Sequence, residues 1–256
     1  MSVKIAHSTW CCKNIDDALA VIEKEKYLEW DLNTLPFSLN AQRMSYVRSF
    51  IRDNGEVRFH LPHSFWDIGA SDASIADNSL DYYGRLFETI RYLNAQYAVM
   101  HLGVFDGADE DIALENLVIL ANRANNCGIK LCVENLIHGL SSNMNFIGKC
   151  LSVPHVYMCF DTGHAEILRR QEGNTVVENI VSVKEKIIHA HVYDCEDDSL
   201  NHIPFTQQSI TTNVWLPLLQ TTGCLWYTME VDLREEQDEQ KKLMEQYLHN
   251  KKQLSK

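Results

Sequence analysis

Along this chain, short apolar runs alternate with longer stretches in which apolar residues return every three or four positions. The short runs are Val3–His7, Leu28–Leu32, Val57–Leu61, Tyr97–Leu102, Lys130–Glu134, Val156–Phe160, Ile187–Val192 and Trp226–Val231. Each is five or six residues long, the length of a buried strand. Their starts are 25 to 40 residues apart, which is the span of one βα unit.

The stretches between them carry helical periodicity. Over Ser79–Asn94 the stripe is Leu80, Tyr83, Phe87 and Ile90. Over Asp111–Asn126 it is Ile112, Leu114, Leu117, Val118, Ala121 and Ala124. Asp16–Lys26, Leu39–Arg52, Thr175–Lys186 and Ser209–Thr221 carry fainter stripes, and the charged tail Glu235–Lys252 reads as a solvated last helix. Strand–helix alternation implies a parallel sheet. Eight strands favour closure, so the expected fold is α/β, a (β/α)₈ TIM barrel spanning 1–256 as a single domain. An open doubly wound sheet is the alternative, but the chain has no GxGxxG or Walker A loop to support one.

Composition narrows the chemistry. Lys and Arg number 23 against 35 Asp and Glu, a formal charge of −12. Phosphate-tracking proteins present basic faces, so nucleic acid is a disfavoured partner and a small-molecule substrate a favoured one. No run approaches the roughly 20 apolar residues of a membrane helix. The opening Met-Ser-Val-Lys-Ile-Ala-His has no basic stretch followed by an apolar one. The eight cysteines form no CxxC pair, and a cytoplasmic protein with reduced core thiols is expected. Homo-oligomerisation is left open.

The polar residues concentrate at one end of the strands. Strand 3 ends at His60 and His63, strand 4 at His101, strand 5 at Glu134 and strand 6 at Asp161 and His164. Strand 7 ends at His189, His191 and Asp194 with His202 beyond, and strand 8 at Glu230 and Asp232. In a closed barrel these ends form one ring. Charged groups there are costly unless paired or metal-bound, and carboxylates with neutral imidazoles are natural metal ligands. His60, His138 and His155 are expected to be hydrogen-bonded core histidines, since a lone histidine usually is one. His189 shares a face with His191 and lines the floor of the site or the core. Asp194 and Asp232 read equally as supports of the ring or as loop caps. Trp10, Phe65, Trp66 and Phe205 follow strands 1, 3, 3 and 7, as pocket walls or as packing.

The stretches LPHSF, MHLG, CVENL, CFDTGHA, HAHVYD with NHIPF, and TMEVD occur in an order that resembles the xylose isomerase-like barrel superfamily. The resemblance covers strands 3 to 8. It implies one or two divalent cations, Mn, Zn, Fe or Co before Mg, with Glu134, Asp161, His191 and Glu230 as ligands. His63 and His101 match two further ligands of the endonuclease IV pattern, and His164 and His202 match positions that serve a third metal there. A third site would also need an Asp where this chain has Leu200, and many ketose epimerases carry an Arg where it has Asp197. The implied activity is isomerisation or epimerisation of a small sugar, polyol or sugar phosphate by proton abstraction beside a carbonyl. Glu134 and Glu230 would be the catalytic carboxylates, with His164, His189, Trp66 and Phe205 against the substrate. Phosphodiester hydrolysis, dehydration and iron-dependent oxidation are the alternatives on the same scaffold.

Overall fold

The structure, a computed structural model, describes the chain except residues 1, 13, 23, 36–40, 54, 196–200, 232–233 and 255–256. Asp197, Leu200 and Asp232 lie outside the described residues. Eight parallel strands close into a barrel in sequence order: β1 (Lys4–Ser8), β2 (Tyr27–Asp31), β3 (Glu56–His60), β4 (Tyr97–Met100), β5 (Lys130–Glu134), β6 (Val156–Asp161), β7 (Ile187–Val192) and β8 (Trp226–Met229). β8 closes on β1, with Lys4 opposite Trp226 and His7 opposite Met229. The helices are α1 (Ile15–Ile22), α2 (Ala41–Arg52), α3 (Ala73–Tyr92), α4 (Glu110–Asn126), α5 (Met144–Ser152), α6 (Thr162–Glu172), α7 (Thr175–Ser182), α8 (Leu216–Leu219) and α9 (Arg234–Leu254). The expected (β/α)₈ barrel is the observed fold.

Short polar side chains start the helices. Asp72 accepts from the amides of Ser74 and Ile75 to begin α3, and Asp109 accepts from those of Asp111 and Ile112 to begin α4. The regular helix expected over Ser209–Thr221 is instead a π-turn, Thr211–Trp215, running into the short α8. Pro217 lacks the N–H that would bond back to Asn213. The turn widens, and the Leu216 amide reaches the Thr211 carbonyl.

The main core lies between strands and helices, where Leu28, Trp30, Phe59, Phe87, Leu117, Leu131, Phe160 and Trp215 are fully buried. Inside the barrel the lining is largely polar. Alternate positions of the strands face the axis: Glu29 and Asp31, Arg58 and His60, Cys132 and Glu134, Cys159 and Asp161, His189 and His191, and Thr228 with Glu230 beyond it. At the floor, the Arg58 guanidinium lies 3.7 Å from the Tyr97 ring centre and 4.3 Å from that of Trp226. All eight cysteines are free thiols, and burial raises Cys132 and Cys150 to about 12. Among the described residues no helix is long and apolar enough to cross a membrane.

Leu117 is fully buried in α4, so Leu117→Ala is expected to cost about 2–5 kcal/mol. A urea melt should show a lower midpoint at unchanged slope, and an unmoved midpoint would contradict this packing.

Candidate metal centre

Two motifs at neighbouring strand ends interlock to build the centre. Asn135, just past β5, donates from Nδ2 to the Asp161 carbonyl (3.0 Å) and accepts from the Asp161 amide (2.9 Å). Asp161 ends β6 and caps α6, its Oδ1 accepting from the His164 amide at 2.7 Å. His164, in the first turn, donates from Nδ1 to the Asn135 carbonyl at 2.9 Å. Thr162 donates to the Tyr193 carbonyl and accepts from the Tyr193 amide, tying α6 to the end of β7. Gly163 is required by close approach, because a Cβ there would sit 2.1 Å from the Tyr193 ring. The loops after β3 and β4 are latched together by Asp67, which accepts from the amides of Gly69, Gly103 and Phe105.

The side chains converge on His191. Its Nδ1 lies 3.3 Å from Glu230 Oε2, 3.5 Å from Glu134 Oε1 and 3.6 Å from Asp161 Oδ2. Among the described residues, neither His191 Nδ1 nor Asp161 Oδ2 has a hydrogen-bond partner, and both are fully buried. The neighbouring Tyr193 hydroxyl does not meet hydrogen-bond geometry with Asp161. Two donors bound to a cation at about 2.1 Å with a tetrahedral angle stand about 3.4 Å apart. The distances from His191 Nδ1 have that value, and the compact group of His191, Glu134 and Asp161, with Glu230 beside the same nitrogen, is a donor set suited to a divalent cation. A second group adjoins it: Glu134 Oε2 lies 3.1 Å from His60 Nε2 and 3.3 Å from His101 Nε2. The mouth opens into a cavity of about 230 Å³ walled by Glu134, Glu230, His60 and His101 together with Trp10, His63, His164 and His202.

The profile of the xylose isomerase-like TIM barrel family matches residues 16–248. The chain belongs to this family. An uncharacterized protein of Methanocaldococcus jannaschii is 29% identical over 161 residues, 63% of this chain and 66% of that protein, just under two thirds of its length. A second uncharacterized protein of the same organism is 24% identical over 212 residues, covering 78% of this chain and 80% of its own. Among solved structures, a D-tagatose 3-epimerase-like protein superposes with a TM-score of 0.86 at 17% identity, covering 99% of this chain and 100% of that one. D-Psicose 3-epimerase of Clostridium cellulolyticum H10 gives 0.68 at 15% identity, over 90% and 86% of the two chains. At these identities the likeness establishes the fold.

Four buried acidic groups, Glu29, Glu134, Asp161 and Glu230, meet few fixed cations here. Burial opposes the charge of Glu134, but His191, His101 and His164 hold its carboxyl well below the ordinary range. Burial raises Glu230 to about 8, against the pull of His191 and helped by Glu29, Glu134 and Asp161. Burial opposes protonation of His60, yet its bond to Glu134 and the charges of Glu134 and Asp31 raise it to about 9. His164 is raised to about 9 against burial by Asp161 and Glu134. His63 is lowered to about 3 by burial and by His101 and His60.

The residues singled out in the sequence fall into three sets. Glu134 and Asp161 form one compact group with His191, Glu230 approaches the same His191 nitrogen, and His101 and His164 reach Glu134. His63 stacks on His101 at 4.1 Å, and His202 stacks between Tyr193 and Trp10 while bonding the Glu230 carbonyl. The three remaining candidates for substrate contact lie away from the mouth. Trp66 stacks on Tyr82, Phe205 is buried under α9 with its backbone held by Gln240, and His189 lies below the centre against Glu29. His60 is buried and hydrogen-bonded as expected, its partner being Glu134 of the ring, whereas His138 and His155 are exposed and lie outside the core. Asp194 accepts from Thr211 and pairs with Ile203, so it supports the loop. Sequence reading missed Glu29 and Asp31 on β2. Their signal was a polar pair two residues apart, as in Arg58/His60 and His189/His191.

The titrations set the pH dependence of the metal-free protein. His60 and His164 stand at about 9 in the fold, against an ordinary value near 6.5 in the unfolded chain. Their contribution is full below pH 6.5 and is lost as pH rises through 9. The Tm of EDTA-treated protein should therefore fall between pH 6.5 and 9, and saturating Zn²⁺ should flatten that slope. A metal-free Tm that climbs across the window would contradict these pairings.

Proposed function

We propose that this barrel is a divalent-metal-dependent isomerase or epimerase of a small sugar or polyol, working by proton transfer beside a carbonyl. The observation that carries the reading is the bare His191 Nδ1 facing three carboxylates. The residues that would hold the cation are Glu134, Asp161, His191 and Glu230. A cation held there supplies Lewis acidity toward a carbonyl and its neighbouring hydroxyl. The likeness to proteins described as D-tagatose-like and D-psicose 3-epimerases supports a sugar as substrate.

The chain's own groups divide the proton chemistry. Glu134, on β5, is held ionised and suits a base. Glu230, after β8, suits the partner that returns the proton. The same two carboxylates, from separate strands, would remove a proton from one face and return one to the other. His164, fixed by Asn135 and lining the cavity, would orient a substrate oxygen. Trp10 offers an apolar wall backed by the His202–Tyr193 stack. A cavity of about 230 Å³ suits a small molecule, being below the roughly 300–1,000 Å³ of drug-sized sites.

A second reading rests on the His60–His101–Glu134 group, which would hold a neighbouring cation bridged by Glu134. Two cations suit phosphodiester hydrolysis, but the charge of −12 argues against a DNA substrate.

The test is incubation of Zn²⁺-, Mn²⁺- or Co²⁺-loaded protein with a panel of ketoses in D₂O. Deuterium should enter at the carbon beside the carbonyl of at least one sugar. Glu134→Gln and Glu230→Gln should each slow exchange by about 10²–10⁴-fold. No exchange across the panel, together with metal-dependent cleavage of an abasic duplex, would replace this reading with the hydrolytic one.

A further inference from the structure

Beneath His191 stands a column of buried polar groups whose proton directions can be assigned from chemistry alone. Arg58 Nη1 lies 3.3 Å from His189 Nδ1. A guanidinium only donates, so His189 Nδ1 carries the lone pair and its proton is on Nε2. That Nε2 lies 2.5 Å from Glu29 Oε2, to which it donates. A second arm gives the same direction. The Trp226 indole, also only a donor, bonds Thr228 Oγ1 at 3.1 Å, and the Thr228 hydroxyl donates to Glu29 Oε2 at 2.6 Å. Both arms thus point protons at Glu29, which is fully buried. Its other oxygen, Oε1, lies 2.9 Å from His191 Nε2. A carboxylate receiving two donors on one oxygen has only an acceptor to offer on the other, so His191 Nε2 carries a proton.

We propose that Arg58, His189 and Glu29, with Trp226 and Thr228 as a second arm, form a positioning column that fixes His191 with its proton on Nε2. The Nδ1 lone pair is thereby aimed at the point shared by Glu134, Asp161 and Glu230. The column rests on the metal-centre reading and deepens it: the ligand face of His191 is set from the barrel floor, by residues that touch neither substrate nor cation. It also accounts for an arginine and a glutamate inside a barrel. Each charge offsets the other through one neutral imidazole, which lowers the cost of burying both. A carboxylate behind a ligating histidine also raises the basicity of the ligand.

The experiment compares wild type with Glu29→Gln by Zn²⁺ titration calorimetry and by ¹⁵N spectra of ¹⁵N-histidine-labelled protein. An amide presents one acceptor and one donor, so it cannot receive both His189 Nε2–H and His191 Nε2–H. The variant should bind Zn²⁺ about 10–100-fold more weakly, and its His191 or His189 signals should show a changed tautomer. Wild type should show His189 protonated on Nε2 with or without Zn²⁺, and His191 protonated on Nε2 when loaded. If Glu29→Gln does not fold, the wild-type spectra still decide: a His189 proton on Nδ1 overturns the column. A folded variant with wild-type Zn²⁺ affinity also overturns it. Wild type that binds no Zn²⁺ overturns the metal-centre reading instead, and the His189 spectrum then judges the column alone.

Discussion

Everything at the mouth of this barrel depends on four acidic groups, Glu29, Glu134, Asp161 and Glu230, being buried within reach of one imidazole. Removing charge from water is expensive, and like charges side by side are more so. The fold meets the cost unevenly. Glu29 is satisfied in full by two histidines and a threonine. Glu134 is shared among His60, His101 and His164. Asp161 spends one oxygen on a helix cap and leaves the other unpaired. What remains uncompensated is concentrated at one place, in front of His191 Nδ1, where the proposed cation would complete the balance.

The same constraint explains the lining of the barrel. Barrel interiors are usually filled by branched apolar side chains in layers. Here, among the described residues, Val99, Cys132 and Cys159 form a small apolar patch on the axis, and polar groups, among them the column from Arg58 to His191, line much of the remainder. The outer core between strands and helices is conventional and carries the stability. The interior is therefore free to be polar, provided that each group finds a partner.

Sequence reading recovered the architecture because the eight runs are apolar and evenly interrupted. Most strand ends fall within one or two residues of expectation, and β5 and β7 coincide with it. Glu134, Asp161, His191 and Glu230 were legible because a charge ending an apolar run has few bland explanations. Glu29 and Asp31 were not, since in YLEWD an acidic residue between apolar ones reads as the solvent side of a half-exposed strand. Only closure of the barrel, which buries both faces, reverses that reading. Trp66 and Phe205 carried no comparable signal. Loop aromatics carry no period, and whether one faces a cavity or a neighbouring helix is decided by tertiary contacts such as those with Tyr82 and Gln240.

Asp161 joins two parts of the molecule through one rigid group. Its Oδ1 secures the first turn of α6, and its Oδ2 looks toward His191 Nδ1. Because both oxygens belong to a single planar carboxylate, neither can turn without moving its twin. A cation bound at the proposed centre would then tighten the start of α6, and its removal would loosen that turn. Amide exchange in the first residues of this helix would serve as a built-in gauge of occupancy, read from the backbone and not from the chemistry.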